Sequence, residues 1–181
     1  MESVSSLRRT PRFFAHAKGG TALVIGEYAA DVENGLQVLG NLGKVFLCKA
    51  EGVSLPGEQL AKVQTEAFAG PHPAGLPGTH IHFLDPVSAT KSVWSLNYQD
   101  VIAIGRLFLQ GRLDPRRIIS LAGPSVTKPR LLETQIGASL SELVEDELLP
   151  GNQRIVSGSL LCGRANSDVV GFLGRYHLQI S

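Results

Sequence analysis

Residues Gly70-Pro71-His72-Pro73-Ala74-Gly75-Leu76-Pro77-Gly78 place three prolines and three glycines in nine positions. Proline fixes φ and removes a backbone donor, so neither one regular helix nor a central strand can run through such a segment. A loop of fixed shape is expected here, with room for a short helical turn after Pro73. The fold must be built from what lies on either side.

On the amino-terminal side, residues 1–20 carry little pattern and read as an irregular lead, with Lys18-Gly19-Gly20 as a flexible join. Thr21-Ala22-Leu23-Val24-Ile25-Gly26 is a short apolar run suited to a buried strand. Asp31 is placed to cap a helix reaching Leu42, in which Val32, Leu36 and Leu39 recur at helical spacing. Gly43 stops that helix, and Lys44–Lys49 reads as a second buried strand. Strand, helix and strand in that order predict parallel strands joined by a crossover helix.

Beyond the loop, Ser92–Asn97 reads as a strand and runs into a well-signalled helix. Asn97 can cap it, Asp100 supports its first turn, and Gly111 ends it. Val101, Ile104, Leu107 and Phe108 are expected to line its inner face. After Gly111 the pattern changes. Arg117–Leu121 and Leu131–Ile136 read as strands, separated by Gly123-Pro124 and Lys128-Pro129 turns. Ser139-Leu140-Ser141-Glu142 opens a short amphipathic helix with Leu140, Leu143 and Val144 inside. Pro150-Gly151 ends that helix, and Arg154–Leu161 and Phe172–Ile180 resume strand character. Two strands, a helix and further strands describe a β-grasp-like α+β module of about 60 residues. The domains are therefore expected at 21–112 and 116–181, with the boundary near Gly111–Pro115.

Composition narrows the function classes. A chain of 181 residues with 43% hydrophobic and 18% charged residues is globular; disordered chains are poorer in apolar residues. Net charge is +1, and the tightest basic clusters are Arg8-Arg9 and Arg116-Arg117. Neither makes a footprint for nucleic acid. No apolar stretch approaches the roughly 20 residues of a membrane helix, so membrane association is expected through a partner. Cys48 and Cys162 lie far apart and read as two reduced, buried thiols.

Candidate chemistry is sparse. Thr79-His80-Ile81-His82 sets two imidazoles at i and i+2, which share a face on a strand and diverge on a helix. His72 and Asp85 could extend them into a metal site, but hydrogen bonds that fix a loop are the simpler role. No GxSxG elbow and no P-loop occur, and Ser157-Gly158-Ser159 reads as a turn or bulge. The dinucleotide fingerprint is missing after the first apolar run, where Gly26 is followed by Glu27-Tyr28. Glu27 and Asp31 would also repel a phosphate there, so flavin or nicotinamide binding to 21–49 is disfavoured. Trp94, the sole tryptophan, reads as a core anchor, with a ring-stacking role as the rival.

Longer motifs are more specific. The run Gly70 to Val87, containing His72-Pro73-Ala74-Gly75-Leu76-Pro77-Gly78-Thr79-His80-Ile81-His82-Phe83-Leu84-Asp85-Pro86, resembles a signature of the A-subunit family of Na+-translocating NADH:quinone oxidoreductases. Val93-Trp94 with Tyr98-Gln99-Asp100-Val101-Ile102-Ala103-Ile104-Gly105 continues the resemblance. So do Leu121-Ala122-Gly123-Pro124, Lys128-Pro129-Arg130-Leu131, Ser157-Gly158-Ser159-Leu160-Leu161 and Phe172-Leu173-Gly174-Arg175-Tyr176. It covers roughly Thr21 to Ser181, and the family's chains are longer.

The resemblance implies an α/β fold: a Rossmann-like domain followed by a soluble-ligand-binding β-grasp (SLBB-like) domain. Both are related to the flavin subunit of complex I and the C subunit of Rnf complexes. It implies a peripheral subunit on the cytoplasmic side of the bacterial inner membrane, with the membrane-embedded B subunit as chief partner. Sodium export would be coupled to electron transfer by a complex that uses NADH, flavins, iron–sulfur centres and ubiquinone. This chain would hold none of these cofactors and no metal, and would not be catalytic alone. On that reading the 70–87 segment is a docking surface carried by His72, Pro73, Gly75, Leu76, Pro77 and Asp85. A rival reading sets a quinone headgroup near His80, His82, Trp94 and Tyr98. A stand-alone flavin or nucleotide enzyme and a free-standing β-grasp ligand binder are the remaining alternatives.

Overall fold

The computed structural model describes residues 12–16, 21–167 and 169–181. The chain divides into two compact units, residues 1–114 and 115–181.

In the first unit, four parallel strands stand in the order β3-β2-β1-β4: β1 Arg12–His16, β2 Lys44–Ala50, β3 Val63–Phe68 and β4 Trp94–Asn97. Strand β1 is thus an inner strand, in register with both β2 and β4, where Phe14 pairs with Phe46 and with Ser95. The expected strand at Thr21–Gly26 is instead α1, Thr21–Glu27. A short apolar run satisfies a buried strand and one side of a helix equally, and periodicity cannot separate them. The join at residues 17–20 lies outside the described residues.

Helix α2, Ala29–Leu42, buries Val32, Leu36 and Leu39, the spacing read from sequence. Its cap position is Tyr28, not Asp31, which lies in the first turn. Helix α3 spans Pro77–Leu84, and α4 spans Tyr98–Gln110. On β2, alternate side chains face opposite ways. Phe46 and Cys48 form a cluster with Ile81 and Leu84 of α3, and with Phe68 and Val93. Val45 and Leu47, also buried, face the other side, where α2 packs on β2. Helices therefore cover both faces, as a parallel sheet requires.

Helix α4 follows its signals closely. The Asn97 side chain accepts the Asp100 amide at 3.0 Å, and Gly111 closes the helix at φ 69°. Its inner face differs from the expected one: Val101, Ile102 and Gly105 are buried, whereas Phe108 is exposed. The face is set by α2, against which Gly35 and Gly105 bring the two backbones into contact.

The second unit pairs β5 Arg116–Leu121 with β6 Arg130–Gln135 in an antiparallel hairpin. Ser139 caps α5, Leu140–Leu143, by accepting the Glu142 amide. Three two-residue strands follow: β7 Val156–Ser157, β8 Arg164–Ala165 and β9 Gln179–Ile180. The order is β6-β5-β9-β7-β8, with β9 parallel to β5. Setting the last strand parallel beside the first, with a helix packed on the sheet, is the β-grasp pattern. The two carboxy-terminal strands are much shorter than expected. Gly158 turns the chain at φ 94°, and a turn from Gly174 to His177 interrupts the other segment. Ile119, Leu121, Leu140, Val144, Leu173 and Ile180 form this unit's core.

Candidate docking surface

The proline- and glycine-rich segment is fastened from within. The Ala74 amide donates to the Pro71 carbonyl at 2.9 Å, and the Leu76 amide to the Pro73 carbonyl at 2.9 Å. Thr79 donates its hydroxyl to the Pro73 carbonyl at 3.0 Å. Pro77 then opens α3 at a position where its missing N–H costs nothing. The His72-Pro73 bond is cis.

Because the two histidines lie on a helix, they diverge. His80 is 4% exposed, and its Nε2 donates to the Ala74 carbonyl at 2.8 Å. Its ring stacks on Phe68 with centroids 4.0 Å apart. His80 thus ties the loop to the helix and to β3. His82 points outward and meets Phe83 edge-on at 5.2 Å. At the far end, Asp85 caps the helix through its amide to the Ile81 carbonyl, and its carboxylate receives Lys91. Ser88 and Lys91 exchange backbone hydrogen bonds at 3.1 and 3.3 Å, closing a tight turn.

What this scaffold displays is apolar. Leu76, Phe83, Val87 and Trp94 are all exposed, Phe83 at 72% and Trp94 at 60%. Trp94 is therefore not the core anchor that its type suggests. Of the docking candidates, His72, Pro73, Gly75 and Leu76 are exposed, Pro77 is half-buried, and Asp85 is turned toward Lys91. Phe83 and Val87 join this display without having been singled out by sequence; their signal is apolar residues on the outer side of a segment with a polar inner ring, His80.

The four quinone candidates do not converge. His80 is occupied inward and His82 lies outward. Trp94 and Tyr98 stand four residues apart, at opposite ends of β4, roughly 13 Å at the rise of a strand. Tyr98 takes the first turn of α4, where its hydroxyl accepts Gln99 at 2.9 Å and burial raises its pKa. That turn lies at the carboxyl end of β4 beside β1, the switch point at which sheets of this kind place ligands. Gly26 lies within α1 and so is not the opening turn after the first strand. The turn that does follow β1 is outside the described residues.

Elsewhere, Cys48 is buried, and burial, with the Glu66 charge, pushes its thiol up to about 12. Cys162 is exposed, contrary to expectation. Arg130, the first residue of β6, donates both its terminal nitrogens to Glu147, at 2.5 and 2.7 Å. Among the described residues, no group of three or more His, Cys, Asp or Glu side chains could hold a metal ion. No helix among them is long and apolar enough to cross a membrane.

Residues 16–113 match the family model described as the NqrA second alpha/beta domain, and residues 118–168 match the NQRA C-terminal domain. The chain is 64% identical over 159 residues to the A subunit of the Na(+)-translocating NADH-quinone reductase of Pseudomonas aeruginosa strain UCBPP-PA14. It is 53% identical over 161 residues to the same-named protein of Pasteurella multocida. Each match covers 88% of this chain and 36% of the relative, so the chain spans about a third of their length. Among solved structures, an NAD+-reducing [NiFe]-hydrogenase in the air-oxidized state superposes with a TM-score of 0.63 at 14% identity. That match covers 94% of this chain and 40% of the hydrogenase chain, a likeness of fold. With a pinned loop, an α/β unit and a β-grasp unit each matched in order, the chain belongs to the A-subunit family of Na(+)-translocating NADH-quinone reductases.

Proposed function

We propose that this chain serves as a non-catalytic part of a sodium-pumping NADH:quinone reductase, docking on the membrane-embedded B subunit from the cytoplasmic side. The observation that carries this reading is the 70–94 segment, internally fastened yet displaying Leu76, Phe83, Val87 and Trp94 outward. A loop that is already ordered loses little entropy on association, so its exposed apolar area is available as binding energy. In this reading NADH, flavins, iron–sulfur centres and ubiquinone belong to the wider complex, and the purified chain is colourless. The test is sedimentation with vesicles. The chain should co-sediment with vesicles carrying the B subunit and stay in solution with lipid alone. Phe83→Asp should abolish the former. Equal binding to protein-free vesicles would overturn the reading.

A second reading, contact with a quinone ring, is favoured by the exposed Trp94 indole. Saturable quenching of Trp94 emission by a soluble quinone would support it, and linear quenching would remove it.

A further inference from the structure

The five-stranded sheet of the second unit ends on β6, and that edge is open. Its six residues pair with β5 without a break, and the strand carries neither the proline nor the bulge that commonly blunts an edge. The direction of its backbone groups follows from β5. The Ser120 and Ala122 amides donate to the Leu178 and Ile180 carbonyls at 2.9 and 3.1 Å. Bonding alternates along a strand, so Arg117, Ile119 and Leu121 address β6, where Thr134, Leu132 and Arg130 are their register partners. Leu131, Glu133 and Gln135 therefore turn their amides and carbonyls to the open side. The Gln135 carbonyl accepts the Ala138 amide at 3.2 Å. Nothing among the described residues takes the amides and carbonyls of Leu131 and Glu133. Beside the same edge lies a groove of about 430 Å3, with Glu133, Thr134 and Gln135 on one side and Ser139, Glu142 and Leu143 on the other.

We propose that β6 and this groove form a docking site for an extended, basic segment of a partner protein, added to the sheet as a further strand beyond β6. Main-chain hydrogen bonds to Leu131 and Glu133 hold such a segment, and its alternate side chains are read by what flanks the edge. Those flanks are acidic. Glu133 and Glu142 line the groove and are exposed, as are Glu145 and Asp146 on the turn after α5. Arg116, 3.9 Å from Glu133, is the one cation lining it. A second copy of the chain is the poorer occupant. Pairing β6 with itself brings two copies of the same acidic flank together, and like charges across strands are destabilising. The site lies in the second unit and uses no residue of the 70–94 display, so either can fail without the other.

The test titrates the 181-residue chain with a capped Lys-Val-Lys-Val-Lys-Val peptide and, separately, with its Glu-Val counterpart. The lysine peptide should saturate at one to one, and the glutamate peptide should bind at least tenfold more weakly. Amide exchange reports the mode of binding: the Leu131 and Glu133 amides should exchange at least tenfold more slowly with the lysine peptide bound. Leu131→Pro removes an outward amide and no hydrogen bond to β5, a substitution that edge strands tolerate. It should weaken the lysine peptide at least fivefold, whereas Leu131→Val should not. Reversing the flank with Glu133→Lys and Glu142→Lys together should exchange the preference between the two peptides. The proposal is overturned if the lysine peptide does not saturate, if the glutamate peptide binds as well, or if the two amides exchange as before. It is overturned equally by a dimer in sedimentation equilibrium that Leu131→Pro dissociates, which would give the edge to a second copy.

Discussion

Gly105 of α4 lies so close to the backbone of Asp31 in α2 that a Cβ on it would stand 2.1 Å from the Asp31 carbonyl oxygen. The contact is reciprocal, since a Cβ on Gly35 would meet the Val101 carbonyl oxygen at 2.1 Å. Alanine favours a helix interior by about 1 kcal/mol over glycine. Here that gain is outweighed, because the obstacle is backbone and cannot rotate away. Gly105→Ala should cost about 1–3 kcal/mol, the range of overpacked cores. Urea unfolding followed by circular dichroism would measure it, and a stabilised variant would refute the close contact.

Arg106 completes the same helix junction. Its Nε donates to Asp31 at 2.8 Å, an Nη to Asp114 at 2.5 Å, and its guanidinium lies 4.4 Å from the Tyr28 ring centroid. Burial pulls its pKa down, but the hydrogen bonds to Asp31 and Asp114 prevail and hold it above its ordinary value. Arg106→Met would leave two carboxylates around a vacated site. The expected loss is about 2–4 kcal/mol, below the full penalty of a buried broken pair because Asp31 keeps some water. The Arg106→Lys variant should recover only part of this, since one ammonium cannot reproduce the fork. Both follow from the same unfolding measurement.

These two positions show what is legible in the sequence. Both ends of helix α4 can be read because a cap and a stop are local signals, carried by Asn97 and Gly111. Its inner face cannot, since Phe108 satisfies the periodicity, but the partner helix demands the glycine side. The inner strand Arg12–His16 escapes sequence reading because three apolar residues between a cation and a histidine give no recognisable run. The histidine pair is resolved only by knowing whether it sits on strand or helix. The proline- and glycine-rich loop is legible as one of fixed shape, yet its outward residues depend on how α3 rolls against Phe46 and Cys48.

The β-grasp unit should lose stability in mild acid through His177. Ser157 is fully buried, accepts the Gly174 amide at 3.0 Å, and shares a hydrogen bond of 2.7 Å with His177 Nδ1. With its oxygen already accepting Gly174, the serine is suited to donate its proton to a neutral ring. Burial, then the charge of Arg164, lowers the His177 pKa below 6.5. The folded state therefore binds fewer protons than the unfolded one near that pH. The associated stability is present above about pH 6.5 and is lost as pH falls through the folded-state value. Melting curves between pH 7.5 and 5 should show this decline, and His177→Asn should flatten it.

The two cysteines should react in separate phases. Native protein is expected to titrate one thiol with an aromatic disulfide reagent, at exposed Cys162. The second, Cys48, should appear only on unfolding, since burial keeps it protonated. Cys162→Ser should abolish the native phase. Two fast equivalents would place Cys48 nearer solvent than its packing beneath α3 allows.

The apolar display of Leu76, Phe83, Val87 and Trp94 has a calorimetric consequence. With Lys91 paired to Asp85, covering this surface exchanges few ions and mainly releases ordered water. Union with a partner there should show a distinctly negative heat capacity change and little response to ionic strength. Such a joint would tighten on warming from the cold, and brine would not loosen it.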